Sequence, residues 1–404
     1  MPSTNPTPLD PSGQLEISVL SSFSDIEADE WDTVVPPDDP FCTHAFLSCL
    51  EASGSACAET GWMSAPVVVR EAGGGRLLAA APAYVKSHSY GEYIFDWGWA
   101  QASERARIPY YPKVLCAVPF TPATGRRLLV HPSLSNDLLE PALMSGLRHL
   151  ADAARASGVH LLFVSEAEHD RIPAHDAHYI PRLTRQFHWT NNQYTSFDDW
   201  TSNFRAKCRK ETRRERRRVA ELGATLHVLR GDEILPAHWG ALEEFYRSTC
   251  DRKWGEAYLH PEFFSLAPDM LGDMAIALVA EVDGDFVAGA LAFHRGAHLY
   301  GRYWGCRAGF ESLHFEICYH RPIELCIEHG WTRFEAGAQG NHKLRRGLMP
   351  SATWSAHWLR HQGLAKAVRQ AVLDEALVTT EEMAVLHGHG PFRRDTADLS
   401  DSPC

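Results

Sequence analysis

Residues 336–350 read AGAQGNHKLRRGLMP. Glycines at 337, 340 and 347 alternate with His342, Lys343, Arg345 and Arg346, a mixture that could cradle a phosphate, hold a metal, line a catalytic cleft or form a charged surface turn. Spacing argues against the first two. No G-x-x-x-x-G-K run is present for a phosphate loop, and neither HExxH nor paired-cysteine ligands occur for a metal; His314 and His320, six apart, do not share a helical face. No metal site is expected. The small residues Gly337, Ala338 and Gly340 would let a ligand approach the backbone, and Gln339, His342, Lys343 and Arg346 could donate to a carbonyl or an anion.

A second chemical feature is RAKCRKETRRERRR, residues 205–218. It holds nine Lys or Arg against two Glu, a local charge of about +7 in a chain of net charge −12. No Gly or Pro interrupts it, so a helix is expected. Cations fall on every side, and a helix polar all round stands in solvent or contacts a large anion. Lys207, Arg209, Arg213, Arg214 and Arg217 are therefore candidates to grip phosphates. The plainer alternative is a solvated helix paired with acidic neighbours.

The elements that must position these residues show an internal repeat. Residues 69–93 align with 279–303 at a constant offset of 210, and Val69, Glu71, Gly74, Ala80, His88, Tyr90, Gly91 and Tyr93 recur. Each copy reads as strand, glycine-bearing tight turn, strand, short turn, strand. A helix over 139–158 closed by Gly158, then the strand VHLLFVSEA, is expected in the first copy. A helix over 314–330 closed by Gly330, then the strand WTRFEAGA, is expected in the second. The order predicts two similar α/β domains over 15–185 and 186–378, the second including the basic helix, with flexible tails at 1–14 and 379–404.

Composition sets outer bounds. Apolar residues make up 45% of 404 residues, with 12 Trp, which is globular and sufficient for more than one core. The acidic balance disfavours global attraction to nucleic acid or anionic lipid, so any such binding must be local. Ten cysteines without a CxxC pair, and a Pro- and Ser-rich start without an apolar core, fit reduced thiols and a cytoplasmic location. No apolar run reaches membrane-spanning length.

Several long strings carry a resemblance: GEYIFDWGWA (91–100), YYPKVLCAVPFTPATGRRLL (110–129), RQFHWTNNQY (185–194), KCRKETRRERRRV (207–219), KWGEAYL (253–259), LYGRYWGC (299–306), LHFEICYH (313–320) and FEAGAQGNHKLRRG (334–347). Together they resemble the bacterial FemAB-like predicted N-acyltransferases, also described as peptidoglycan biosynthesis or recognition proteins, over roughly residues 20–375. The resemblance implies a mixed α/β fold built as a tandem of two GNAT-like domains, each with a mostly antiparallel sheet flanked by helices. It also implies transfer of an acyl or aminoacyl group to an amine, with no tightly bound cofactor. The donor would be a co-substrate: aminoacyl-tRNA, an acyl-carrier protein thioester or acyl-CoA. The acceptor would be a small-molecule or peptide amine.

Within that frame, residues 336–350 leave the strand where a GNAT-like cleft opens, so a cleft-lining loop is favoured over a surface turn. Glu335 ends that strand and is a general-base candidate, and His314 and Glu316 open the preceding helix as further catalytic candidates. Arg302, Tyr303 and Trp304 on the long strand should wall the cleft. Asp96, Tyr111 and Lys113 fall in resembling strings and could bind the acceptor, or form a satisfied polar network. GCRAGFESLHFE (305–316) lacks the Q/R-x-x-G-x-G/A pattern of acyl-CoA sites, which shifts weight toward another anionic donor. The contrasting expectation is a non-catalytic module that recognises a cell-wall fragment.

Overall fold

The computed structural model describes residues 14–252, 255–338 and 340–393. The chain divides into two compact units: residues 1–184, 258–263 and 352–379 in the first, and 185–257, 264–351 and 380–404 in the second. Residues 258–263 and 352–378, expected in the second domain, thus belong to the first unit.

The first unit contains β1 (Leu15–Val19), α1 (Ala28–Trp31), α2 (His44–Ala52), β2 (Trp62–Ser64), β3 (Val67–Glu71), β4 (Leu77–Ala81), β5 (Ala83–Lys86), α3 (Trp97–Arg105), β6 (Lys113–Cys116), β7 (Leu129–Val130), α4 (Asn136–Ala153), β8 (Gly158–Val164) and α5 (Glu166–His175). One sheet has the order β1-β3-β4-β7, and a second runs β8-β6-β5-β2. Helix α4 lies on the first sheet. Gly146 makes this possible, because a Cβ there would sit 2.6 Å from Val67. The expected closure of this helix at Gly158 is incorrect. Helix α4 stops at Ala153, where Arg155 turns to φ +50°, and Gly158 instead opens β8, which is buried throughout.

The second unit contains α6 (Phe197–Ser202), α7 (Ala206–Glu221), β10 (Thr225–Arg230), α8 (Pro236–Arg252), β11 (Ala275–Val282), β12 (Asp285–Arg295), β13 (His298–Cys306), α10 (Arg321–His329) and β14 (Arg333–Glu335). Four elements carry the chain across a unit boundary: β9 (Ile180–Thr190), α9 (Pro261–Leu271), β15 (Met349–Leu359) and α11 (Gln362–His389). The sheet of this unit has the order β10-β11-β12-β13-β14-β9, antiparallel except for β13 with β14. Asp283 and Gly284, both at positive φ, make the tight turn between β11 and β12. The core gathers Trp189, Trp200, Phe204, Leu278, Ile317, Ile323 and Phe334.

The repeat is real in the first hairpin and lost after it. Val67 faces Ala81 and Val69 faces Ala79 in β3–β4; at offset 210, Ala277 faces Leu291 and Val279 faces Gly289 in β11–β12. The third strand then differs. Strand β13 carries His298, Tyr300, Gly301 and Tyr303, but their counterparts His88, Tyr90, Gly91 and Tyr93 lie in an irregular segment after β5. Pro82 separates β4 from β5, and residues 89–96 turn their polar side chains onto Lys113 instead of forming a ladder.

The expected tail at 379–404 is also corrected. Helix α11 continues to His389, since no Gly or Pro occurs between Leu364 and His387. Residues 394–404 and the expected N-terminal tail up to residue 13 lie outside the described residues.

Candidate functional site

The parallel pairing of β13 and β14 lasts three residues, His298–Tyr300 against Arg333–Glu335. Beyond it the ladder ends: β13 continues to Cys306, while the chain leaves β14 at Ala336 with Gly337 still beside the Gly301 carbonyl. Two local features shape this place. Arg302 is the extra residue of a β-bulge, since Leu291 faces Tyr303 and Ala292 faces Gly301. Bulges re-aim side chains and recur beside active sites. Gly337 (φ +77°) and Gly340 (φ +111°) let the departing chain fold back over the strand ends.

Residues 341–346 then form a 3-10 turn that brings several candidates together. His342 Nε2 lies 2.8 Å from the Tyr319 hydroxyl. The His314 ring sits 5.2 Å from Trp304, 5.5 Å from Tyr319 and 5.8 Å from His342. His342 is exposed, and burial of its inner edge, then Arg346 and Lys343, holds its pKa below the usual histidine value. Burial pushes the Tyr319 hydroxyl up. The site thus presents a neutral imidazole at its mouth, backed by a protonated phenol. Sequence reasoning did not single out Tyr319; its signal was the spacing of His314 and Tyr319 in LHFEICYH, obscured because Glu316–His320 form a π-turn, not the regular helix expected.

Other candidates have structural duties. Lys343 is buried; its Nζ donates to the Gly337 carbonyl at 2.5 Å and pins the loop, and burial brings its pKa down to about 8. Arg346 donates to the His342 carbonyl (2.7 Å), pairs with Glu215 (2.5 Å) and lies over the Phe315 ring. Glu335 is only 2% exposed; Arg333 pairs with one oxygen at 2.5 Å, and His188 is 3.6 Å from the other. His188 is kept neutral by burial and by Arg333, Lys343 and His298. Glu316 is buried and held by Arg216 at 3.1 Å. Tyr303 and Trp304 do not wall one cleft: Trp304 faces His314, whereas Tyr303 packs against Tyr246 of α8. Gln339 lies outside the described residues. Among the described residues no group of three His, Cys, Asp or Glu could hold a metal ion.

Helix α7 has two faces, not the uniform polarity expected. Thr212 is buried; Glu215 reaches His320 (2.8 Å) and Arg346, and Arg216 reaches Glu316 and Glu324. Lys207, Arg213, Arg214 and Arg217 point to solvent. Arg209 is half-buried and donates to the Ser202 carbonyl.

Asp96, Tyr111 and Lys113 belong to the first unit. Lys113 is fully buried and donates to Ser89 (2.7 Å), Glu92 (2.8 Å) and Asp96. Ser89 bridges Asp96 (2.5 Å) and the Tyr111 hydroxyl (2.8 Å). Burial would lower the Lys113 pKa, but Glu92 and Asp96 outweigh it and raise it; burial would raise that of Asp96, but Lys113 outweighs it and lowers it. These residues form a buried polar network, in which Glu92 Oε1 has no hydrogen-bond partner among the described residues.

A family model for FemAB-like proteins, described as peptidoglycan biosynthesis/recognition, matches residues 22–394. The chain belongs to the FemAB-like family. Among solved structures it is similar to FemX, at 14% identity and TM-score 0.53, covering 85% of this chain and 98% of that one. It is also similar to the C-terminal domain of a putative lysylphosphatidylglycerol synthetase from Agrobacterium fabrum, at 11% identity and TM-score 0.51, covering 87% and 97%. At such identities the likeness is one of fold: the chain has a mixed α/β fold like that of FemX. A search of curated proteins found no match. No helix among the described residues is long and apolar enough to cross a membrane.

Proposed function

We propose that this FemAB-like chain transfers an acyl or aminoacyl group from an activated donor to an amine, where the pairing of β13 and β14 ends. The observation that carries this reading is the His342–Tyr319 pair: a neutral, exposed imidazole held in place at the strand ends. The tautomer with hydrogen on Nε2 donates to the Tyr319 oxygen and leaves the Nδ1 lone pair to take the proton of the attacking amine. The amine nitrogen forms the new C–N bond, the thiol or ribose oxygen of the donor leaves, and the proton returns to that leaving group. Glu335, paired to Arg333 and deeply buried, is a poorer base than expected; it and Lys343 hold the walls.

For the donor, the exposed cations Lys207, Arg213, Arg214 and Arg217 suit a phosphate-bearing molecule. Gly305 does not suit a pyrophosphate cradle. A Cβ there would meet the Phe245 carbonyl oxygen at 1.9 Å, so this glycine serves helix–sheet packing. Residues 311–320 form 3-10 and π turns where a CoA site would use a regular helix N-terminus. Aminoacyl-tRNA or a carrier-bound thioester is therefore favoured over acyl-CoA.

The test is incubation of the purified chain with candidate amines and each of three donors: charged tRNA, acyl-carrier thioester and acyl-CoA. Amide product is read by mass spectrometry. Product with a donor, lost in His342→Ala, supports the assignment. No amide with any donor, together with tight binding of an unreacted ligand, would replace it with a binding module.

A further inference from the structure

In the first unit, the segment after β5 alternates in burial. Ser89, Glu92, Ile94 and Asp96 turn inward, while Tyr90, Tyr93, Phe95 and Trp97 turn outward, with Tyr90 57% and Phe95 37% exposed. The inward polar groups wind around one peg, the Lys113 ammonium. The outward rings form a continuous array. Tyr90 meets Trp97 edge to face at 5.0 Å, Phe95 stacks on Trp97 at 5.9 Å with planes 21° apart, and Tyr93 lies 6.4 Å from both Phe95 and Tyr258.

Four physical points make this array more than surface decoration. Exposed, contiguous aromatic side chains are unfavourable in water and mark interaction sites. The loop carrying them is strained, with Tyr93 at φ +62°, a conformation that non-glycine residues adopt at a cost and that clusters at functional positions. A buried lysine with three loop acceptors also holds it rigid, so a ligand would not have to order it on binding. Tyr and Trp offer large amphipathic contact area with little rotamer entropy to lose.

We propose that Tyr90, Tyr93, Phe95 and Trp97 form a platform that binds the ring faces of a neutral saccharide. Charge decides the choice of partner. Every ionised side chain between 86 and 98 — Lys86, Glu92 and Asp96 — is buried, and the half-exposed His88 is held neutral by burial and by Lys86. Among the described residues, this segment therefore presents rings and hydroxyls outward and no exposed cation of its own; Arg182, which donates to the Phe95 carbonyl, is itself buried and paired with Glu375. An anionic lipid surface or a nucleic acid would require exposed Lys or Arg among the rings. A pyranose needs only an apolar ring face and neighbouring hydrogen-bonding groups. The platform lies outside the transfer site described above and does not rest on that reaction.

The test is calorimetric titration of the full chain, without any acyl donor, with three neutral tetrasaccharides: chitotetraose, cellotetraose and maltotetraose. Saturable binding of at least one is expected, at a dissociation constant of about 1 mM or tighter. Tyr90→Ala and Trp97→Ala should each weaken it by about tenfold or more, while Arg213→Glu on α7 should leave it unchanged. Should Trp97→Ala fail to fold, the exposed pair Tyr90→Ala with Phe95→Ala replaces it. No binding of any tetrasaccharide, or binding indifferent to these substitutions, overturns the proposal. Partition onto phosphatidylcholine vesicles that the same variants abolish, without saccharide binding, also overturns it in favour of a lipid surface. Failure of the transferase assay would leave this result untouched.

Discussion

His342 and Glu335 show how burial sorts two residues that look equally catalytic in a sequence. Both are polar, both sit at the end of the same strand–loop segment, and either could take a proton. Glu335 is nearly inaccessible and already compensates Arg333, whereas His342 is exposed and neutral. His342→Gln should therefore reduce turnover by about 100-fold or more, with the thermal midpoint unchanged. Glu335→Gln should do the reverse: lower the unfolding free energy by about 1–3 kcal/mol, because Arg333 loses its partner in a partly buried site, and reduce the rate per folded molecule less than about tenfold. Denaturant titration alongside normalised rates separates the two. The pH dependence has a definite sign. A base must be unprotonated, and the His342 pKa is depressed, so activity should fall only as pH drops through a point below 6.5. An acidic limb centred at or above pH 6.5 would exclude His342.

At the scale of elements, α7 connects two functions through its two faces. Glu215 and Arg216 reach inward to His320, Arg346, Glu316 and Glu324, and thereby brace the π-turn and the 341–346 turn. Arg213, Arg214 and Arg217 reach outward. Reversal of these three to Glu should leave stability within about 0.5 kcal/mol per site while weakening donor binding and flattening its dependence on salt. Glu215→Ala should instead cost about 1–3 kcal/mol, because two buried donors lose their acceptor; equal effects of the two changes would deny the helix its two faces. Gly305→Ala tests the packing of α8 on β13. The added methyl would overlap the Phe245 backbone, so a large loss of stability should occur with no specific effect on donor affinity.

At the scale of the molecule, buried ionisable groups govern stability against pH. Lys86 is fully buried over the Trp62 ring, and burial lowers its pKa from 10.5 to about 7, with Glu92 opposing. Between pH 7 and 10 the unfolded chain therefore binds a proton at this site that the folded chain does not, so stability rises with pH across that window. Lys343, at about 8, acts in the same direction over a narrower range. Glu92, raised to about 7 by burial, binds a proton when folded but not when unfolded between pH 4.5 and 7, so its contribution falls as pH rises there. Lys86→Met should flatten the increase in melting temperature from pH 7 to 9.5; an unchanged slope would place the charge elsewhere.

The sequence alone determined the features that are local in the chain. The β3–β4 and β11–β12 hairpins followed from glycine-bearing turns between apolar runs, and α7 from an unbroken run of helix formers. The FemAB-like resemblance rested on long strings that survive as strings. Tertiary structure decided whatever depends on which partner a side chain meets. Glu335 and Arg333, two apart on β14, share a strand face, but only the packed structure shows that they pair and that the carboxylate is buried. The π-turn at Glu316–His320 shifts side chains relative to a regular helix and delivers Tyr319 to His342. Pro82 and Lys113 convert the third strand of the first repeat into a polar-inside, aromatic-outside loop, although the residues of the two copies still align. In residues 336–350, which could have been any of four devices, Lys343 is buried and pins the loop while His342 is left exposed, and burial is a property of the packed molecule.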